Sequence, residues 1–478
     1  MVLWAYINVV QTLSQTLHIF FAPGASVFAT LNIFNMEGKQ MKGKWRAGLL
    51  AATLGLAGVL AGCSGGESDK PATSSDGDKS KEEVVTLDVF QFKVEFKDQF
   101  EAVAKAYEEE NENVKINITT VGGGEDYGAA LRSKFASGNE PAIYNIGGPQ
   151  DVSDWKDKLA DLSDTEAAGI ALDGTLEGVT VEGEILGLPF NQEGYGFIYN
   201  KNVFEKAGID PASIVDFASL EAAVKTLDSK KDELGLEAVF ALPGKEKWVT
   251  GLHLSNTFLS PEFDQNVLTA FDSKTVEFQY GDAFKKILDL QNDYSKQPTV
   301  SLDYSQQVEE LFSLQKVAII QQGNWVYGSI AGIDEEFAQN GIGILPIPVE
   351  GFSGDSIPVG VPMYWGVNSN KDEAVVAESK KFLDWLYTSE TGKEAVVSDF
   401  NFIPAYEGYD SSKISDPLSK DVYEFSEKGK TIGWTFMGYP TGWGENELGV
   451  QIQKYLSDEA SWEEVVEASQ KAWESNRK

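Results

Sequence analysis

From residue 84 onwards the chain alternates short apolar runs with stretches of helical period. Residues 84–92, VVTLDVFQF, are rich in β-branched and aromatic side chains and predict a buried strand. Phe96, Phe100, Val103, Ala104 and Tyr107 then recur at helical spacing, with Lys and Glu on the opposite face. VKINITTV, residues 114–121, alternates as a strand does. AALRSKFASG, 129–138, predicts a helix that stops at Gly138, and PAIYNIGG, 141–148, a short strand running into a glycine loop. This order of strands and helices implies a mostly parallel sheet in an α/β lobe. The alternation continues, with helical patterns at 219–227, 282–294, 372–388 and 462–474 and apolar strands at 237–242, 316–322 and 341–348. A folded region of about 400 residues exceeds what one core usually serves, so two lobes are expected.

Upstream the pattern changes. Residues 64–83, SGGESDKPATSSDGDKSKEE, show no apolar period, so 63–83 reads as a flexible tether. Residues 47–62 are apolar and uncharged, but shorter than the ~20 residues a membrane-spanning helix needs. Met41, Lys42, Lys44 and Arg46 precede them, which makes a basic, then apolar, then small-residue secretory signal. Its end, Leu60-Ala61-Gly62-Cys63, resembles the lipobox of bacterial lipoproteins. That resemblance implies cleavage before Cys63, a lipid on its thiol, and anchoring at the outer face of a cell membrane of Gram-positive type. Residues 1–40 are interrupted by Gln11, Gln15, His18 and Pro23, so 1–62 reads as a mis-started extension plus signal peptide, with initiation expected at Met41.

Composition narrows the chemistry. A net charge of −35 opposes binding to nucleic acid or to anionic lipid headgroups. With one cysteine there is no internal disulfide, and the core must supply stability. Only His18 and His253 are present, so histidine metal clusters and Ser–His–Asp arrangements are hard to build, and neither metal nor cofactor is expected. His253 itself reads as a hydrogen-bonded structural histidine. GGGEDYGAA, from Gly122, lacks the P-loop Lys-Ser/Thr and the G-x-G-x-x-G spacing, and reads as a strand-to-helix turn. The tryptophans are more telling. Trp248 in KEKWVTG, Trp325 in QGNWVYG, Trp365 in PMYWGVN, and Trp434 and Trp443 in GWTFMGYPTGWG stand beside glycines rather than in helical stripes. Flat aromatic faces next to Glu, Asn and Gln suit the C–H face and hydroxyls of a pyranose.

Residues 181–210, VEGEILGLPFNQEGYGFIYNKNVFEKAGID, carry Gly187-Leu188-Pro189, then Ile198-Tyr199-Asn200-Lys201, Phe204 and Ala207-Gly208. FASGNEPAIYNI, LFSLQKVAIIQQGNWV, ILPIPVEG, VGVPMYWGVNSN and FIPAY fall around them in matching order. In these motifs the chain resembles the family 1 extracellular solute-binding proteins, the sugar-capturing lipoproteins of ATP-binding-cassette (ABC) importers, over nearly all of 84–478. The resemblance implies a two-lobed, type II periplasmic-binding-protein-like α/β fold. Lobe one would comprise 84–191 and 356–404, and lobe two 192–351 and 405–478. An oligosaccharide would sit in the hinged cleft between them, and the closed monomer would dock on the importer's permease subunits. No catalysis is implied.

By similarity to maltodextrin-binding members, Glu193 is a sugar-contacting carboxylate, with Asn191 and Tyr195 beside it. Glu246 and Trp248 stand where those relatives have Glu-x-Tyr, and Trp325, next to Asn324, is a stacking ring. Trp434 or Trp443 supplies the C-terminal ring, and Tyr364 and Trp365 are further candidates. Lys93 and Glu95 lie near a hydroxyl-binding Asp-Lys pair. Gln150 and Asp151 replace an aromatic and an Asp-Arg pair, which leaves the sugar open. Two other classes remain. A receptor for a peptide, polyamine or glycerol phosphate is opposed by the aromatics and by the lack of clustered Arg. A glycoside hydrolase would need two carboxyls about 5–5.5 or about 6.5–9.5 Å apart, for which Glu193 and Glu246 are the candidates, but the family order opposes it. Transport and sensory signalling are not separable from the sequence.

Overall fold

Val85–Gln91 pairs in parallel with Val114–Thr120 along its whole length, and with Ile143–Ile146 on its other side. The computed structural model that shows this describes residues 84–122 and 126–477. The signal, lipobox, tether and part of the Gly122 turn lie outside the described residues. Tyr364–Val367 adds to Ile143–Ile146 antiparallel, and Leu188–Pro189 completes a five-stranded sheet. The helix Lys97–Glu110 buries Phe100, Val103, Ala104 and Tyr107, the residues whose spacing predicts it. Tyr127–Ala136 is capped by the Asp126 side chain, and Gly138, at φ +75°, ends the turn after it, where a residue with a Cβ would be strained.

A second sheet runs in the order Thr431–Gly433, Ile357–Gly360, Glu193–Asn200, Val317–Gly323, Ala238–Phe240. Ile342–Leu345 pairs with the far end of Glu193–Asn200. Glu193–Asn200 is buried at every position, as a central strand with helices on both faces must be. Each sheet has its own apolar core. Leu87, Val89, Phe100, Phe190, Trp365 and Phe382 belong to one, and Phe197, Ile198, Phe240, Phe258, Ile319 and Trp443 to another. The two lobes expected from chain length are thus two sheets with separate cores.

Details of the partition differ from the expected boundaries. Ile357–Gly360 pairs with Gly194 and Glu193 in the second sheet, so the chain returns to the first lobe after Gly360. Ala405, Tyr406 and Ile414 pack in the first lobe's core, and the Tyr406 hydroxyl bonds to the Pro189 carbonyl at 2.5 Å. The chain therefore crosses between sheets around Phe190–Glu193, around 361–363 and after Ile414. These crossings bring the carboxyl ends of Val85–Gln91 and Val317–Gly323 and the amino end of Glu193–Asn200 to one cleft.

Candidate functional site

A cavity of about 510 Å³ opens between the lobes. Lobe one supplies the loop after its first strand, with Phe92, Lys93 and Glu95, and the Gly147–Asp151 turn. Lobe two supplies Glu193 at the start of its central strand, the 245–253 segment, Trp325, and the stretch from Trp434 to Asn446. A volume near 500 Å³ lined by aromatic faces and a few placed polar groups is the usual form of a small-molecule site.

At the floor, Lys93 and Glu193 form an ion pair between the lobes, with side chains 5 % and 4 % exposed. Asn191 holds the Glu193 carboxylate from behind, its amide donating to Oε1 at 3.3 Å. The Lys93 ammonium also lies 5.6 Å from the Trp325 ring centre. Glu95 stands nearby and accepts from the Tyr304 hydroxyl at 3.4 Å, a second link between the lobes. Burial pushes the Glu95 carboxyl above the usual range, and neighbouring Lys93 opposes this in part.

The aromatic wall belongs to lobe two. Trp325 folds back over its own strand, its indole N–H donating to Gln322 Oε1 at 2.9 Å. Only a glycine at 323 permits this, because a Cβ there would lie 2.1 Å from the Trp325 ring. Trp248 donates to Glu246 Oε2 at 3.2 Å, and Oε1 of the same carboxylate accepts the Tyr304 backbone N–H at 3.2 Å. Glu246 is therefore positioned by two donors. Trp434 completes the wall, and its indole N–H is buried without a protein partner.

His253 lies amid these rings, a place that its neighbours in the chain do not signal. Its imidazole stacks on Tyr195 at 4.5 Å and lies 5.2 Å from both Trp248 and Trp325. The ring is held by stacking rather than by the hydrogen bond expected of it, and it lines the cavity. Burial, aided by Lys93, lowers its pKa to about 3, so at neutral pH it presents one donor and one acceptor.

Of the residues expected to bind solute, Lys93, Glu95, Gln150, Asp151 and Glu193 line the cavity. So do Glu246, Trp248, Trp325 and Trp434. Asp151 turns its carboxylate to the Gly147 N–H at 2.7 Å, and burial raises its pKa. Gln150 is occupied by other partners, donating to Asp154 at 2.9 Å and accepting from Arg477 at 2.8 Å.

Six expected residues are not at the surface of the cavity. Asn191 and Tyr195 lie behind it, supporting Glu193 and His253; the Tyr195 hydroxyl donates to the His253 carbonyl at 2.7 Å. Asn324 ties the crossover, accepting the Gly194 N–H and donating to Ser419. Tyr364 reaches the Thr175 carbonyl within lobe one. Trp365 packs between Phe100 and Phe190, with its N–H on the Tyr387 hydroxyl at 2.8 Å. Trp443 is fully buried against Tyr439 and Trp473 and donates to the Ser469 carbonyl. Glycine flanks signal a close approach of backbone and ring, and that approach occurs in a core as readily as in a cleft.

Cavity residues the sequence reading missed include Phe92, Tyr127, Arg132, Tyr304, Phe436 and Met437. Tyr304 follows a turn with no neighbouring glycine–tryptophan signal, and its role depends on Glu95 arriving from the other lobe. Phe436 and Met437 sit inside GWTFMGYPTGWG, which singled out its tryptophans alone.

Among the described residues, no helix is long and apolar enough to cross a membrane, and no metal-binding cluster occurs. Comparison with known proteins agrees with the architecture. A chitin oligosaccharide-binding protein superposes with a TM-score of 0.70 at 22% identity, covering 82% of this chain and 99% of that one. A RafE binding protein in complex with raffinose gives 0.67 at 18% identity, covering 83% and 100%. In sequence, the melibiose/raffinose/stachyose-binding protein MelE of Bacillus subtilis (strain 168) is 22% identical over 76% of this chain and 85% of its own length. The multiple sugar-binding protein of Streptococcus mutans is 25% identical over 72% and 80%. The profile of the bacterial extracellular solute-binding proteins matches residues 93–393. Together with the two-sheet fold and the interlobe cleft, that match places the chain in this family, whose members bind solutes and are not enzymes.

Proposed function

We propose that this protein captures a neutral oligosaccharide in the interlobe cleft and delivers it to an ABC importer, held at the cell surface by a lipid on Cys63. The observation that carries this reading is the wall of Trp248, Trp325 and Trp434 lining one cavity together with the positioned carboxylates Glu193 and Glu246. Indole faces stack on pyranose C–H surfaces, and carboxylates accept from hydroxyls in pairs. The names of the relatives, among them binding proteins for raffinose-type sugars and for multiple sugars, support the same class. A relative named for sn-glycerol-3-phosphate also matches, at 26% identity. Phosphate is opposed by the charge of the cavity, where Glu95, Asp126, Asp151, Glu193, Glu246 and Glu445 outnumber Lys93, Arg132, Lys245 and Lys247 and Lys93 is already paired with Glu193.

The test is isothermal titration of the Cys63→Ala protein against α-glucosides, α-galactosides, and xylo-, manno- and chito-oligosaccharides. One class should bind, and Trp325→Ala should weaken it about tenfold or more. No heat with any sugar, together with binding of glycerol phosphate, a polyamine or a peptide, would refute the sugar reading. Anchoring is tested separately: labelling with radioactive palmitate should mark the wild type and miss Cys63→Ala.

A further inference from the structure

Away from the aromatic wall, one rim of the cleft is bridged by side chains that reach from one lobe to the other. Arg477 lies on lobe two, its guanidinium 5.3 Å from the Phe271 ring and 5.5 Å from the Trp473 ring. One of its nitrogens, Nη2, donates to the carbonyls of Gly438 and of Ala270, the latter at 3.3 Å. The other, Nη1, crosses to lobe one and donates to Gln150 Oε1 at 2.8 Å. The Gln150 amide then donates to Asp154 Oδ1 at 2.9 Å, and Asp154 Oδ2 accepts from Thr441 of lobe two at 2.6 Å. The chain of bonds thus leaves lobe two at Arg477 and returns to it at Thr441. The backbones also approach closely here, since a Cβ on Gly148 would lie 2.8 Å from the Met437 Cβ.

We propose that Arg477 is a positioning residue for the closed state, clipping lobe two to lobe one through Gln150. Two stacked rings and two carbonyls fix the guanidinium before the lobes meet, so closure orders little more than the Gln150 side chain. Opening the hinge breaks the Gln150 contact and leaves every contact of Arg477 within lobe two intact. The clip therefore biases closure whichever solute fills the cleft, and Gln150 serves it rather than the ligand.

The experiment uses the full chain without ligand. Cys63, the only cysteine, is replaced by Ser, and a donor–acceptor dye pair is placed through Lys105→Cys on lobe one and Ala222→Cys on lobe two. Single-molecule energy transfer then reads the closed fraction directly. Arg477→Ala should lower the closed-to-open ratio about tenfold, the size of one charge-assisted hydrogen bond. Gln150→Ala, which alters nothing within lobe two, should do the same, and the double variant should fall no further. Unchanged transfer in Gln150→Ala, or effects that add in the double variant, would overturn the proposal. Because no sugar is present, that failure is distinct from failure of the oligosaccharide reading.

Discussion

Replacing Gly323 by alanine adds one methyl group, yet it should disable the aromatic wall. The new Cβ would stand 2.1 and 2.5 Å from two carbons of the Trp325 ring and 2.5 Å from the Gly194 carbonyl oxygen on the neighbouring strand. Carbon atoms in contact prefer about 3.5–4.0 Å, so the overlap exceeds what small adjustments absorb. A methyl group cannot rotate away. The two central strands must give to relieve the Gly194 carbonyl, and Trp325 must swing out to relieve its ring. Swinging out loses the bond to Gln322, about 1 kcal/mol, and the packing against His253 and Trp248, about 0.5–1.5 kcal/mol for each ring. The sum is roughly 2–4 kcal/mol in stability, with loss of the stacking platform. Titration with the oligosaccharide that binds wild type should show affinity down tenfold or more, and tryptophan emission should shift red as the ring meets water. Gly323→Ala combined with Trp325→Ala should bind no worse than Trp325→Ala alone, because both act through the same ring. Binding within about twofold of wild type, with unchanged emission, would refute the claim that Gly323 sets the position of Trp325.

Trp248→Ala should weaken sugar binding with little change in melting temperature. Trp365→Ala should cost about 3–5 kcal/mol in stability and leave binding intact in the protein that remains folded, as calorimetry and titration together would show. Lys93→Met leaves the Glu193 carboxylate buried without its cation. It should cost about 3–5 kcal/mol, most of it recovered in the double variant with Glu193→Gln, read from melting temperatures. Asp416 is fully buried, and burial raises its carboxyl to about 6, while Oδ2 has no partner. Between the unfolded value of 3.8 and about 6 the folded chain holds more protons, so this group's contribution to stability falls as pH rises through that window. Asp416→Asn should remove that slope and stabilise the protein at pH 7 by about 1–3 kcal/mol, measured as melting temperature against pH. His253 has the opposite sign. Its depressed pKa costs stability as pH falls from 6.5 toward 3, and His253→Phe should remove that loss.

The alternation of strands and helices was legible in the chain because it depends on neighbours three, four or two residues apart. Lys97–Glu110 buries the residues its spacing marked, and the motifs around Gly187–Gly208 carried the family and with it the two lobes. Glu193 and Glu246 came from the resemblance to maltodextrin-binding members, and Trp325 from that resemblance and its glycine-flanked position. The partners they meet were not legible. Lys93 reaches Glu193 across 100 positions, Tyr304 reaches Glu95 across 209, and Arg477 reaches Gln150 across 327. A glycine beside a tryptophan looks alike whether the ring faces solvent, as at the cleft, or a core, as at Trp365 and Trp443. Local pattern fixes which side of an element is apolar. Only the packing of the two lobes decides which apolar surface is left uncovered, and that surface is the site.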